Sequence, residues 1–125
     1  MNNNALQQTL EDVFKELIVA NEKIPIIVEG KNDEAALRSL GVSGVVIRLN
    51  TGLSILNFCE DVAKQYNEVI LLPDWDDKGK QLLEKLQHHF KYTPARVNDR
   101  FWHDLKRICS REIVEVEQLT KFINN

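Results

Sequence analysis

Three acids carry the chemistry this sequence could perform. Glu29 closes the apolar run Ile-Ile-Val-Glu-Gly, and Asp74 and Asp76 follow a second such run in Ile-Leu-Leu-Pro-Asp-Trp-Asp. Side chains alternate along extended backbone, so two carboxylates one residue apart project to the same side and can share one hard cation. Mg²⁺ suits such a set, because it takes a few carboxylate oxygens and fills its remaining positions with water and phosphate oxygens. Mn²⁺ is the expected substitute. Three carboxylates gathered without a cation repel, and their pKa values rise, so convergence calls for a metal or a functional proton. The Asp-Trp-Asp-Asp stretch also reads as a solvated turn capping the next helix, and spacing by itself leaves both readings open.

Bringing these acids together requires a particular order of elements. Ile24–Val28, Val45–Leu49 and Val69–Leu72 are short β-branched runs suited to strands buried on both faces, with a weaker counterpart at Ala95–Val97. Helical segments are expected between them, at about Asp33–Leu40, Leu53–Gln65 and Lys78–Phe90. An amphipathic opening helix over Ala5–Ala20 presents Leu6, Leu10, Val13, Phe14, Leu17 and Ile18 on one side. Alternation of strand and helix predicts an α/β class, a three-layer α/β/α fold around a mostly parallel sheet of about four strands. Gly30, Gly41, Gly44, Gly52 and Gly79 all fall at expected junctions. Towards the end, Trp102–Cys109 reads as helix, Ile113–Val116 as a short edge strand and Gln118–Ile123 as a last helical turn or two. In an open parallel sheet ligands bind beyond the carboxyl ends of the strands, and all three acids are expected there.

A chain of 125 residues that is 43% hydrophobic matches one domain with one core. The reading is a single unit over 1–125: an opening helix over 1–20, a core over 24–98, and a C-terminal helix and tail over 99–125. Met1 to Gln8 has neither the basic stretch nor the apolar run of a signal peptide, and no run approaches membrane-spanning length, so a soluble, cytoplasmic protein with no membrane partner is expected. Cys59 and Cys109 lack metal-ligand spacing and read as buried free thiols. His88, His89 and His103 have no ligand spacing relative to the acids and read as surface or interface residues. The net charge of -3 hides a segregation. Residues 1–77 carry 6 basic and 13 acidic side chains, 78–111 carry 9 and 3, and 112–125 carry 1 and 3. The block from Lys78 to Arg111 is therefore the candidate phosphate-facing surface, although solvated helix faces account equally well for much of it.

The Glu29-Gly30 pair and the downstream Asp74-x-Asp76-x-x-Gly79 resemble the Toprim pattern of a strand-end Glu followed by DxDxxG. The likeness runs from about Ile24 through the helix after Gly79. The chain resembles small stand-alone Toprim proteins of the archaeal type. Its Val-Glu-Gly-Lys-Asn-Asp segment is similar to the Toprim ribonuclease that matures 5S ribosomal RNA, and the core is similar to that of bacterial-type primase. The resemblance implies a Rossmann-like parallel sheet between helices, a strand-end Glu29 acting as general acid/base or metal ligand, and Mg²⁺ on Asp74 and Asp76. It implies that Gly30 and Gly79 let backbone approach phosphate, that Lys31 contacts phosphate and that Asp33 caps a helix. Glu117 resembles a late acidic position. Trp75, between the two aspartates, either stacks on a base or anchors the loop in a neighbouring layer, and Thr51-Gly52 either adds N–H groups for phosphate or is a plain turn.

With no zinc module, catalytic-tyrosine context or polymerase-like lobe beside the core, neither a full topoisomerase nor a self-sufficient primase is expected. The leading expectation is a Mg²⁺-dependent nuclease acting on structured RNA or DNA. The alternative is a non-catalytic, metal-assisted subunit of an RNA- or DNA-processing complex, and a homodimer stays open. A response-regulator-like phosphoacceptor is disfavoured because Glu29 is followed by Gly30 rather than by a second acid.

Overall fold

The computed structural model describes residues 4–49, 52–109 and 111–123. The elements run α1 (Asn4–Asn21), β1 (Ile26–Val28), α2 (Lys31–Ser39), β2 (Val46–Arg48), α3 (Ile55–Gln65), β3 (Glu68–Leu71), α4 (Asp77–Phe90), β4 (Arg96–Asn98) and α5 (Arg100–Cys109), and a 3₁₀ helix (Val116–Lys121) follows. The four strands form one sheet in the order β2-β1-β3-β4, and every pairing is parallel. The protein is thus α/β with an all-parallel sheet flanked by helices.

Burial explains which runs became central strands. Ile26, Ile27 and Val28 of β1, with Val69, Ile70 and Leu71 of β3, are completely buried, whereas the edge strands β2 and β4 keep partly exposed side chains. Right-handed crossovers then put α2 on one face and α3 with α4 on the other. Contacts agree: α3 packs on α4, α1 on α5, and α2 on the 3₁₀ helix. From α1, Leu10, Val13, Phe14 and Leu17 enter the core, while Leu6, expected on the same face, is exposed.

Local chemistry sets the boundaries. β1 begins at Ile26 rather than Ile24, because Pro25 has no N–H to give the ladder, although its carbonyl accepts the Ile70 N–H at 2.9 Å. α2 begins at Lys31, two residues before the expected start: Gly30 is the cap, and the Asp33 carboxylate accepts its N–H at 3.1 Å. α3 begins after Ser54, whose hydroxyl accepts the Asn57 N–H at 3.2 Å. The buried Asn21 ties the end of α1 to the start of β2, donating to the carbonyls of Ile24 and Val45 at 3.0 and 2.9 Å and accepting the Gly44 N–H at 2.8 Å.

The end of the chain departs from expectation. Ile113–Val116 is not an edge strand. Trp75 takes the carbonyls of Ile113 and Val114, and the Gln118 side chain takes the N–H groups of Val114 and Glu115 at 3.0 and 3.1 Å. With those groups engaged, the segment cannot pair with β4, and it lies as a strap over the β3–α4 loop. The last turns are 3₁₀ and start at Val116, two residues before the expected Gln118.

Candidate functional site

The strand order reverses between β1 and β3, and this switch point opens a crevice at their carboxyl ends. Glu29 leaves β1 there, and Asp74 arrives beside it from β3 across Leu72 and Pro73. The two are joined directly: Glu29 Oε2 accepts the Asp74 N–H at 3.0 Å. Asp74 is held at three more points. Its Oδ1 accepts the Val116 N–H at 2.8 Å, its carbonyl accepts the Trp102 indole N–H at 3.2 Å, and its main chain packs against Gly79. A Cβ at Gly79 would stand 1.8 Å from the Asp74 carbonyl oxygen, so the loop fits only because residue 79 lacks a side chain.

The resulting cleft has a volume of about 440 Å³ and is lined by Glu29, Gly30, Lys31, Asn32, Asp33, Asp74, Glu115 and Glu117. Among the described residues, five carboxylates and one lysine line it. Desolvation raises the Asp74 carboxyl from 3.8 to about 7, opposed by the Val116 N–H and reinforced by the charges of Asp33, Glu29 and Asp76. Burial likewise lifts Asp33 above the usual carboxylate range, against the pull of the Gly30 N–H and with help from Glu29, Glu117 and Glu115. Beyond the rim the sign reverses: Glu34 is held below its usual range, chiefly by its hydrogen bond to Arg48 at 2.7 Å.

The donor set fits a hard cation. Glu29 and Asp74 each spend one oxygen on a main-chain N–H and keep the other without a protein donor among the described residues. Two carboxylates with water and phosphate completing the shell suit Mg²⁺. A cation here would also offset the burial and the neighbouring charges that raise the Asp74 carboxyl. Among the described residues, however, no three His, Cys, Asp or Glu side chains are grouped closely enough to hold a metal by themselves.

The expected residues separate into groups. Glu29, Gly30, Lys31 and Asp74 line the cleft, joined by Asp33 and by the weakly signalled Glu117. Asp76 does not line it. The backbone is not a strand after Leu71, and Asp76 becomes the cap of α4, its Oδ1 accepting the Gly79 N–H at 2.8 Å; it reaches Asp74 through its charge. Asp76 keeps an extended backbone, with φ -77° and ψ 179°, and caps α4 through one carboxylate oxygen while its charge acts on Asp74. Gly79 is buried, with its N–H committed to Asp76, and its role is close packing rather than an open approach to phosphate. Trp75 is anchored: it is buried, its N–H donates to the Val114 carbonyl and its indole N–H to the Ile113 carbonyl, at 2.9 and 2.7 Å. Thr51 lies outside the described residues, and Gly52 has the positive φ of 85° of a turn glycine. Cys59 and Cys109 are buried free thiols. Asn32 and Glu115 were not anticipated. Asn32 adjoins the Glu29–Lys31 motif, while Glu115 lay in the segment read as a strand.

The sheet order, the acidic crevice at its switch point and the glycine-packed β3–α4 loop correspond to one domain type. The Toprim domain matches residues 24–105, and the chain belongs to the Toprim family. Within that family it is similar to small UPF0292 proteins of archaea. The Methanocaldococcus jannaschii UPF0292 protein is 34% identical over 117 residues, spanning 94% of this chain and 91% of the relative. The Thermoplasma volcanium protein is 38% identical over 95 residues, 76% of this chain and 80% of the relative. A solved structure of an Aquifex aeolicus protein superimposes with a TM-score of 0.73 at 27% identity, covering 94% of this chain and 99% of that one. Family membership implies metal-dependent, nucleic-acid-related function, and Toprim domains generally bind Mg²⁺. Among the described residues no helix is long and apolar enough to cross a membrane.

Proposed function

We propose that this protein is a Mg²⁺-dependent nuclease acting on structured RNA or DNA, with Glu29, Asp74 and Asp76 as its catalytic and metal-holding acids. The observation that carries the reading is the direct Glu29–Asp74 contact at the switch-point crevice, with Asp74 held near neutrality by burial and surrounding acids. Glu29 and Asp74 would hold the ion through their free oxygens, and Asp76 through the oxygen not spent on Gly79 or through a bound water. The ion, when bound, supplies positive charge to the scissile phosphate and acidifies water. Glu29 would take the proton of an attacking water or return one to the leaving oxygen. Lys31, exposed at the cleft rim, is suited to a neighbouring phosphate oxygen, and Gly30 leaves the rim beside it unobstructed.

Metal-dependent cleavage of a panel of duplex, hairpin and single-stranded RNA and DNA tests this reading. Cleavage is expected to vanish in Glu29→Gln and to fall steeply in Asp76→Asn; activity that survives both substitutions sinks the assignment. One observation favours a second reading, a metal-assisted binding subunit without turnover: the described carboxylates form no closed three-ligand cage. Salt-sensitive binding without any cleavage of the panel is its signature.

A further inference from the structure

α5 carries four side chains that are basic or can become so, and three of them are spent on neighbours. Arg100 lies over the Phe101 ring at 4.5 Å and 3.9 Å from Glu16. His103 meets Asp99 at 3.1 Å, and Arg107 meets Asp104 at 3.3 Å. Lys106 is the exception: among the described residues it has no carboxylate within ion-pair distance. Its ammonium sits 5.1 Å from the centre of the Trp102 ring, and the same indole donates its N–H to the Asp74 carbonyl. One rigid, buried ring therefore connects an uncompensated cation to the backbone of the principal acid of the cleft.

We propose that Lys106 is a positioning residue that binds a backbone phosphate of the nucleic acid beside the one held at the Glu29–Asp74 cleft. The inference rests on the nucleic-acid partner of the preceding reading and assigns it a second contact. Three physical features support it. A cleft lined by five carboxylates repels a polyanion, so productive binding needs positive charge close by but outside the acidic shell. A lysine stem laid on an aromatic face has already given up much of its rotamer freedom, which lowers what binding must still order. An ammonium without a carboxylate partner need not break an ion pair before it meets phosphate. The competing explanation is that the stem merely covers Trp102. Lys106→Met separates the two, because it keeps the apolar cover and removes the charge.

The test is fluorescence anisotropy of labelled RNA and DNA hairpins, titrated across salt concentrations with Ca²⁺ in place of Mg²⁺ to hold off turnover. Losing one phosphate contact is expected to lower the log–log salt slope by about 0.9 and, at about 0.15 M salt, to weaken binding about fivefold. Lys106→Arg is expected to retain slope and affinity. Lys64→Met serves as the control, since Lys64 lies in the last turn of α3, which leads into the amino end of β3 rather than the carboxyl end where the cleft opens. If Lys106→Met lowers the melting temperature, Lys106→Gln replaces it. The hairpin whose slope falls identifies RNA or DNA as the source of the phosphate. Wild-type slope and affinity in Lys106→Met, or in the Lys106→Gln that replaces it, overturn this inference while leaving the nuclease reading intact. Failure of the wild type to bind either hairpin overturns both.

Discussion

Asp74→Asn isolates the electrostatic burden of the cleft. The asparagine retains an oxygen to accept the Val116 N–H, which Asp74 Oδ1 accepts at 2.8 Å, so the strap keeps its tether while the charge disappears. Folding favours protonated Asp74, because burial raises its carboxyl from 3.8 to about 7. Its contribution to stability is therefore intact below about pH 4, where folded and unfolded states both hold the proton. That contribution declines as the pH rises, and the loss is complete once the pH has passed through about 7. At ~1.4 kcal/mol per pKa unit the ceiling is ~4 kcal/mol. The carboxylate faces an open cleft where water screens it, so about half of that is expected, roughly 2 kcal/mol. For a domain of this size the difference corresponds to a melting temperature about 6 °C higher for Asp74→Asn at alkaline pH. Thermal and denaturant unfolding from about pH 4 to about pH 8, in chelator, measures it. The wild type should lose ground to the variant steadily across this range, and Mg²⁺ at the alkaline end should recover much of the loss in the wild type alone. Parallel pH profiles for the two proteins would refute the reasoning.

Other consequences are equally specific. Gly79→Ala drives a methyl group to 1.8 Å from the Asp74 carbonyl oxygen, so a loss of about 3 kcal/mol in denaturant unfolding is expected, together with displacement of the Asp74–Asp76 loop. Trp75→Phe removes the indole donor bonded to the Ile113 carbonyl at 2.7 Å; about 1–2 kcal/mol of stability should go with it, and trypsin should cut faster at the exposed Arg111 as the strap loosens. Burial pushes the thiols of Cys59 and Cys109 up to about 12, so a thiol reagent at mildly alkaline pH should label neither until the protein is unfolded. Rapid labelling of the native protein would contradict that.

Much of this molecule is legible without coordinates because its signals are local. β-branched runs that are buried on both faces announce parallel strands, and alternation with amphipathic helices settles the α/β class. An acid ending one such run and a pair of acids ending another must then lie at the same edge of the sheet. Where local pattern is ambiguous, packing decides. At Asp76 the two readings that spacing leaves open coexist, because the backbone is extended and one carboxylate oxygen caps α4. Ile113–Val116 has the composition of a strand, but its hydrogen-bonding groups are claimed by Trp75 and Gln118, partners that local pattern does not bring together.

The sequence by itself determined the class of fold, the edge at which the acids gather and the identity of Glu29 and Asp74, since each depends only on periodicity and on where a strand ends. The tertiary structure alone decided how the acids are held and which others join them. Glu115 and Glu117 reach the cleft only because the 3₁₀ helix docks on α2. Lys106 reaches its neighbourhood only because Trp102 hydrogen-bonds the Asp74 carbonyl from a helix distant in sequence. Asp74 owes its raised carboxyl to the burial and the converging charges that packing imposes. Such long-range contacts leave no periodic trace along the chain, because each depends on where an entire element comes to rest.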